Sequence, residues 1–93
     1  MTTVLLKEHK DTKANRQQVV NQFVKTMKEN PKVTQITEVV DDGYNVCVYY
    51  TCSSFLMADD LLALQRVVNP NAVTHDPIRV VGYRGNYSLT TKI

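Results

Sequence analysis

Apolar side chains recur with helical spacing in the first third of the chain. Within residues 14 to 30 they follow the i, i+3, i+4, i+7 pattern of an amphipathic helix, at Val20, Phe23, Val24 and Met27. Asp11 or Thr12 can cap the N-terminus of this helix, and Pro31 prevents its continuation. The spacing therefore predicts one helix with a single apolar stripe.

A second helical pattern lies beyond the middle of the chain. Its apolar positions are spaced i, i+4, i+7 and i+11, at Met57, Leu61, Leu64 and Val68. Ser53 or Ser54 is the predicted N-cap, and Asn69-Pro70 ends the helix.

Residues 32 to 52 are rich in Val, Ile, Thr and Tyr, which predicts two strands joined by a hairpin at Asp42-Gly43. If these two residues form the whole loop, Val39 pairs with Val46. A three-residue loop would shift the pairing, so the register stays open. On the second strand one face would carry Tyr44, Val46, Val48 and Tyr50.

Residues 78 to 93 predict a second hairpin. A turn at Gly85-Asn86 would pair Val80 with Thr91 and Gly82 with Leu89. Alternation then gives an apolar face of Ile78, Val80, Leu89 and Ile93, and a polar face of Arg79, Tyr83, Ser88 and Lys92.

The apolar run Val4-Leu5-Leu6 is interpreted as an additional first strand. The predicted order is then β-α-β-β-α-β with an added C-terminal strand. This order is typical of a ferredoxin-like α+β sandwich, in which two helices pack on one face of an antiparallel sheet. If residues 1 to 10 do not form a strand, the alternative is an α-β-β-α-β-β order with the same layering.

The chain of 93 residues and 10.6 kDa predicts one compact domain spanning residues 1 to 93. Its 43% hydrophobic and 22% charged residues are typical of a folded protein. No apolar run approaches the roughly 20 residues that span a bilayer, and the N-terminal residues lack the features of a secretory signal. We therefore expect a cytoplasmic protein that does not enter the membrane.

The sequence contains no pattern typical of a catalytic, metal or cofactor site. Cys47 and Cys52 lie five residues apart on a predicted strand, so they point to opposite faces and predict two buried thiols rather than a disulfide. Neither His9 nor His75 has a metal ligand at a suitable spacing, and no phosphate-binding loop or nucleophile elbow occurs. We expect no cofactor and no enzymatic activity.

The net charge of +2 hides an uneven distribution. Residues 1 to 32 carry seven basic and three acidic groups (+4), residues 33 to 77 one and six (−5), and residues 78 to 93 three and none (+3). The basic zone near the first helix consists of Lys7, Lys10, Lys13, Arg16, Lys25, Lys28 and Lys32.

All five tyrosines fall in predicted strands or hairpin ends, which suits a protein interface. The residues that most resemble an interface surround the second hairpin: Arg79, Tyr83, Arg84 and Tyr87. The leading hypothesis is a small non-enzymatic protein-interaction module, acting as a regulator, adaptor or inhibitor. Residues 88 to 93 could also form an exposed edge strand that pairs with a second copy, giving a homodimer.

The alternative hypothesis is binding of single-stranded nucleic acid, with candidate residues Lys25, Lys28, Tyr49, Arg79 and Arg84. Residues 43 to 49 loosely resemble the third-strand signature of RNA-recognition motif domains, which implies a similar fold. The sequence departs from that signature at Asp42 and Val46, so RNA binding is not carried over from it. A third hypothesis is an enzymatic or ligand-binding homodimer that uses His75, Asp76 and the cysteines.

Overall fold

A computed structural model describes the backbone of residues 2–93 and the side chains of residues 15–82 and 84–93. The elements are α1 (Thr2–Glu29), β1 (Val33–Asp41), β2 (Asn45–Cys52), α2 (Ala58–Val68), β3 (Arg79–Tyr83) and β4 (Asn86–Lys92). The strands form one antiparallel sheet in the order β1-β2-β4-β3. The predicted ferredoxin-like α+β class, with two helices covering one face of an antiparallel sheet, is confirmed.

The predicted first strand is wrong, because residues 4 to 6 lie inside α1. A three-residue apolar run has no period that separates strand from helix, and the Leu, Lys and Glu residues around it favour helix. The caps predicted at Asp11 or Thr12 are also wrong, because α1 continues through both residues. The chain follows the alternative α-β-β-α-β-β order.

The C-terminal strand β4 lies inside the sheet. β4 lies between β2 and β3 and is antiparallel to both, so β2 and β3 run parallel and α2 connects them. The prediction that residues 88 to 93 form an exposed edge is therefore wrong. The edges of the sheet are β1 and β3.

The core lies between the helices and one sheet face. Its buried side chains come from both layers: Val20, Phe23 and Met27 of α1, Leu64 of α2, Val46, Val48 and Tyr50 of β2, Leu89 of β4, and Ile78 before β3. The predicted α1 stripe is confirmed, since Phe23 is 0% exposed. The opposite sheet face, called the open face here, carries the alternate residues, including Cys47, Tyr49, Ser88 and Val81.

The β1–β2 hairpin has a longer loop than two residues. Asp41 pairs with Val46, so Val39 lies opposite Val48 rather than Val46. The carboxylate of Asp42 accepts hydrogen bonds from the backbone N–H groups of Tyr44 and Asn45, at 2.9 and 2.7 Å. A turn closed by the Asp42 side chain thus takes the place of the predicted two-residue turn at Asp42-Gly43. Tyr44 lies in this loop, outside β2.

The β3–β4 hairpin turns at Arg84-Gly85, one residue earlier than predicted. Both residues have positive φ, 53° and 83°, which is the geometry of a two-residue turn that matches strand twist. Val80 consequently pairs with Leu89 and Gly82 with Tyr87. The shift in pairing is two residues on β4, so the predicted division into two faces survives although the register is wrong.

α2 begins at Ala58, three residues later than a cap at Ser54 would place it, and ends at Val68. The caps predicted at Ser53 or Ser54 are therefore wrong. Met57 is the N-cap residue, and its backbone N–H donates to the Asp60 carboxylate at 2.8 Å.

Cys47 and Cys52 are free thiols on opposite sheet faces, each half-buried rather than fully buried as predicted. Among the described residues, neither helix combines the length and the apolar character needed to cross a bilayer.

Candidate functional site

The structure places three residues of the predicted partner site at different positions. Arg79 begins β3 and lies on the open face opposite Thr90. Tyr87 lies on the face that the helices cover, since it pairs with Tyr50. Arg84 is exposed at the hairpin tip, five residues after Arg79 and at the opposite end of β3. The side chain of Tyr83 lies outside the described residues, so its role stays a prediction.

Three aromatic rings lead from the core to the surface at the hairpin end of the sheet. Tyr50 is 2% exposed and stacks on Tyr87, with ring centroids 5.6 Å apart and an interplanar angle of 23°. Tyr87 in turn meets the edge of Phe55 at 5.9 Å and 86°. Phe55 is 65% exposed. We call Tyr50, Tyr87 and Phe55 the aromatic end cluster.

A shallow hollow adjoins this cluster. Its volume is about 280 Å³, and its lining includes Cys52, Ser53, Ser54, Phe55 and Tyr87. The hollow is therefore made of the residues that link β2 to α2, with one ring contributed by β4. An aromatic side chain that is exposed at a hollow is the kind of group that anchors protein interfaces.

The loop that carries Phe55 is anchored at both ends. At its start, the backbone N–H of Ser53 donates to the carbonyl oxygen of Lys32 at 2.8 Å. At its end, Asp60 accepts from the backbone N–H of Met57, from Lys32 Nζ at 2.7 Å and from Asn30 Nδ2 at 3.1 Å. These bonds, led by the one from Lys32, hold the pKa of Asp60 below its ordinary 3.8. Phe55 is thus displayed on a positioned loop.

Sequence reasoning missed Phe55 because it placed the residue inside the first turn of α2. Phe55 does not belong to the apolar stripe of that helix, which starts at Met57, and this mismatch was the available signal.

The buried member of the aromatic end cluster carries no charge. Burial raises the pKa of Tyr50 to about 12, so its phenol stays neutral. The cluster therefore presents apolar ring surface without a fixed charge from its own members.

The open face carries one exposed aromatic among its described side chains. Tyr49 is 41% exposed and lies beside Ser88, whose other neighbour is Val81, itself 63% exposed. The Cys47 side chain, mainly through hydrogen bonding, raises the pKa of Tyr49 above its ordinary value. Glu38 of β1 pairs with Tyr49, so this part of the face combines an aromatic, an aliphatic and one acidic side chain.

The residues of the nucleic-acid hypothesis lie on different sides of the molecule. Lys25 and Lys28 are exposed on α1, above the covered face of the sheet. Tyr49 and Arg79 lie on the open face, with the sheet between them and the lysines. Val46, which stands where the RNA-recognition signature has a stacking aromatic, is 0% exposed beneath the helices.

The residues of the ligand-binding hypothesis are dispersed. His75 and Asp76 lie in the loop between α2 and β3, whereas Cys47 and Cys52 lie on opposite faces of β2. Within the described part of the chain, no group of three or more His, Cys, Asp or Glu side chains could hold a metal ion.

Comparison with known proteins adds no relative: no protein-family model, no curated protein and no solved structure matches the chain. The fold defines the class, a small α+β sandwich whose sheet has one covered and one open face.

Proposed function

We propose that the protein is a small non-enzymatic interaction module that regulates, adapts or inhibits a larger protein, and that the partner docks on the aromatic end cluster. The observation that carries this proposal is Phe55, an aromatic side chain that is 65% exposed yet sits on an anchored loop. Holding an apolar ring in water is unfavourable, and ordering it in advance lowers the entropy lost on binding.

The hairpin tip extends this surface. β4 begins at Asn86 opposite Thr51 of β2, so the Arg84-Gly85 turn lies at the same end of the sheet as the loop that follows β2. Arginine is one of the residue types that are enriched at interface hot spots. In this proposal Phe55 fills a pocket of the partner, and Arg84 and Tyr83 contact its rim.

The proposal is tested by affinity capture of tagged protein from its native lysate, with and without nuclease. We expect a stoichiometric protein partner that survives nuclease and is identified by mass spectrometry. The isolated partner is then titrated against Phe55→Ala and against Val73→Ala as a matched control, since Val73 is 85% exposed in the loop between α2 and β3. Removal of a hot-spot ring weakens binding by about 30-fold or more, or roughly 2 kcal/mol.

The outcomes distinguish the hypotheses. If Phe55→Ala and Val73→Ala bind the partner equally well, the aromatic end cluster is not the docking site. If the captured material is RNA or DNA that is released at high salt, the nucleic-acid hypothesis replaces the proposal.

A further inference from the structure

A groove of about 580 Å³ runs between α1 and the edge strand β1, away from the aromatic end cluster. Val20, Val24 and Val39 give it an apolar lining, while Lys25 and Lys28 stand along its α1 side. The groove is therefore apolar with a positive border on the helix.

The part of β1 that borders the groove is the regular part of the strand. Extra residues at Thr34 and Thr37 interrupt the first half, where the pairing with β2 shifts twice. From Glu38 to Asp41 the pairing with β2 continues without a shift. Bulges disturb an edge and hinder the addition of another strand. Only the second half of this edge thus offers an even row of backbone groups.

The charges in the groove favour an anionic occupant. Asp41, the acidic side chain that lines it, is paired with Arg16 at 2.6 Å. Lys25 and Lys28 form no ion pair with any side chain that the structure describes. A carboxylate that enters the groove therefore meets two ammonium groups and a carboxylate that already has a partner, whereas Glu38 lies on the opposite, open face.

We propose that an extended acidic peptide segment of a protein partner adds to the sheet along Glu38–Asp41. Alternate side chains of an added strand point to opposite faces, so every second one enters the groove. An aliphatic side chain packs there against Val39, and carboxylates two positions away reach Lys25 and Lys28. This surface is separate from the aromatic end cluster, and the inference does not depend on it.

The probe is the blocked peptide Thr-Glu-Thr-Val-Thr-Glu-Thr, which reads the same in both directions and so presents a glutamate to the lysines in either orientation. It is titrated into ¹⁵N-labelled protein. We expect amide shifts and slowed hydrogen exchange at Glu38 to Asp41. The double variant Lys25→Glu/Lys28→Glu should bind about tenfold more weakly, since it replaces attraction of the peptide carboxylates by repulsion. Both lysines are exposed, and circular dichroism verifies that the variant folds.

Two matched peptides make the inference falsifiable. Thr-Lys-Thr-Val-Thr-Lys-Thr keeps the β propensity and reverses the charge, and it should bind more weakly than the acidic probe. A version of the acidic probe with N-methylated backbone amides keeps the side chains and removes the strand donors, and it should lose binding. Equal affinity of either control peptide overturns the inference, as does the absence of any change at Glu38 to Asp41 with millimolar acidic probe.

Two further results would also overturn it. Shifts confined to Tyr49 and Val81 would place the peptide on the open face instead of the edge. Protection of Glu38 to Asp41 that rises with protein concentration alone would identify a second copy of this chain as the occupant, and sedimentation equilibrium would detect that dimer.

Discussion

Gly82 is a position where one added methyl group should disturb both core and surface. It pairs with Tyr87 across the β3–β4 hairpin, and an added Cβ would lie 2.1 Å from two atoms of the Tyr87 ring. The ring would have to move by more than about 1 Å to reach ordinary van der Waals contact. It is held between Tyr50 and Phe55, so it cannot move without losing contact with one of them.

The magnitude follows from these contacts. Each aromatic pair contributes about 0.5–1.5 kcal/mol beyond its buried area, and overpacking a fitted core destabilises by about 1–3 kcal/mol. Replacing glycine by alanine in a strand stabilises the folded state by roughly 0.5–1 kcal/mol, because alanine loses less conformational entropy on folding. We therefore expect Gly82→Ala to lower the free energy of unfolding by about 2 kcal/mol, which for a chain of this size lowers Tm by about 8–16 °C.

The assay is urea and thermal unfolding followed by circular dichroism. The matched control introduces Gly82→Ala into a Tyr87→Ala background, where the obstructing ring is gone and the second substitution should be nearly neutral or stabilising. A double-mutant cycle then gives the coupling between the two positions. Equal effects of Gly82→Ala in the two backgrounds would refute the ring contact as the cause.

Two further predictions concern polar groups beneath and beside the core. Thr91 is 1% exposed, and its hydroxyl has no hydrogen-bond partner among the described residues, so Thr91→Val should stabilise the fold by about 1 kcal/mol in urea unfolding; a loss of stability would reveal a partner. Asp60→Ala should lower stability by about 1–2 kcal/mol at neutral pH because Lys32 and the Met57 N–H lose their acceptor. Since the folded-state pKa of Asp60 lies below 3.8, its contribution is present above that pH and is lost as pH falls through the lowered pKa. Wild type and Asp60→Ala should therefore converge in stability in acid, and a constant difference down to low pH would contradict this role.

The apolar stripes were sufficient to predict both helices but not where they begin. Val20, Phe23 and Met27 are buried as expected, because a stripe of that length leaves only one face to pack. The N-terminal extension of α1 carries no such long pattern. The start of α2 was misplaced because Ser53 and Ser54 are strong cap candidates by type. In the structure both the backbone N–H and the hydroxyl of Ser53 donate to the carbonyl oxygen of Lys32, so the chain is still held beside the start of β1 at this point.

The strand faces were predictable and the registers were not. Alternation requires Val46, Val48 and Tyr50 to share a side, and the structure places all three in the core. The register depends instead on the length and position of each loop. In the β1–β2 hairpin the loop is fixed by hydrogen bonds to the Asp42 side chain, and in the β3–β4 hairpin by the positive φ angles of Arg84 and Gly85. A shift of two positions along β4 keeps every side chain on its face, so the pattern of polar and apolar residues could not reveal it.

The position of Tyr87 decides which substitution can test the candidate site. Its ring packs against Tyr50 in the core and also supports Phe55 at the surface, so Tyr87→Ala would alter stability and docking together. Phe55→Ala removes a ring that is mostly in water, so its effect on unfolding should stay near the value of one aromatic pair, about 0.5–1.5 kcal/mol. A loss of partner binding much larger than that loss of stability would therefore belong to the interface. If Phe55→Ala lowers stability but leaves partner binding unchanged, Phe55 acts only by supporting the fold, and the docking surface lies elsewhere.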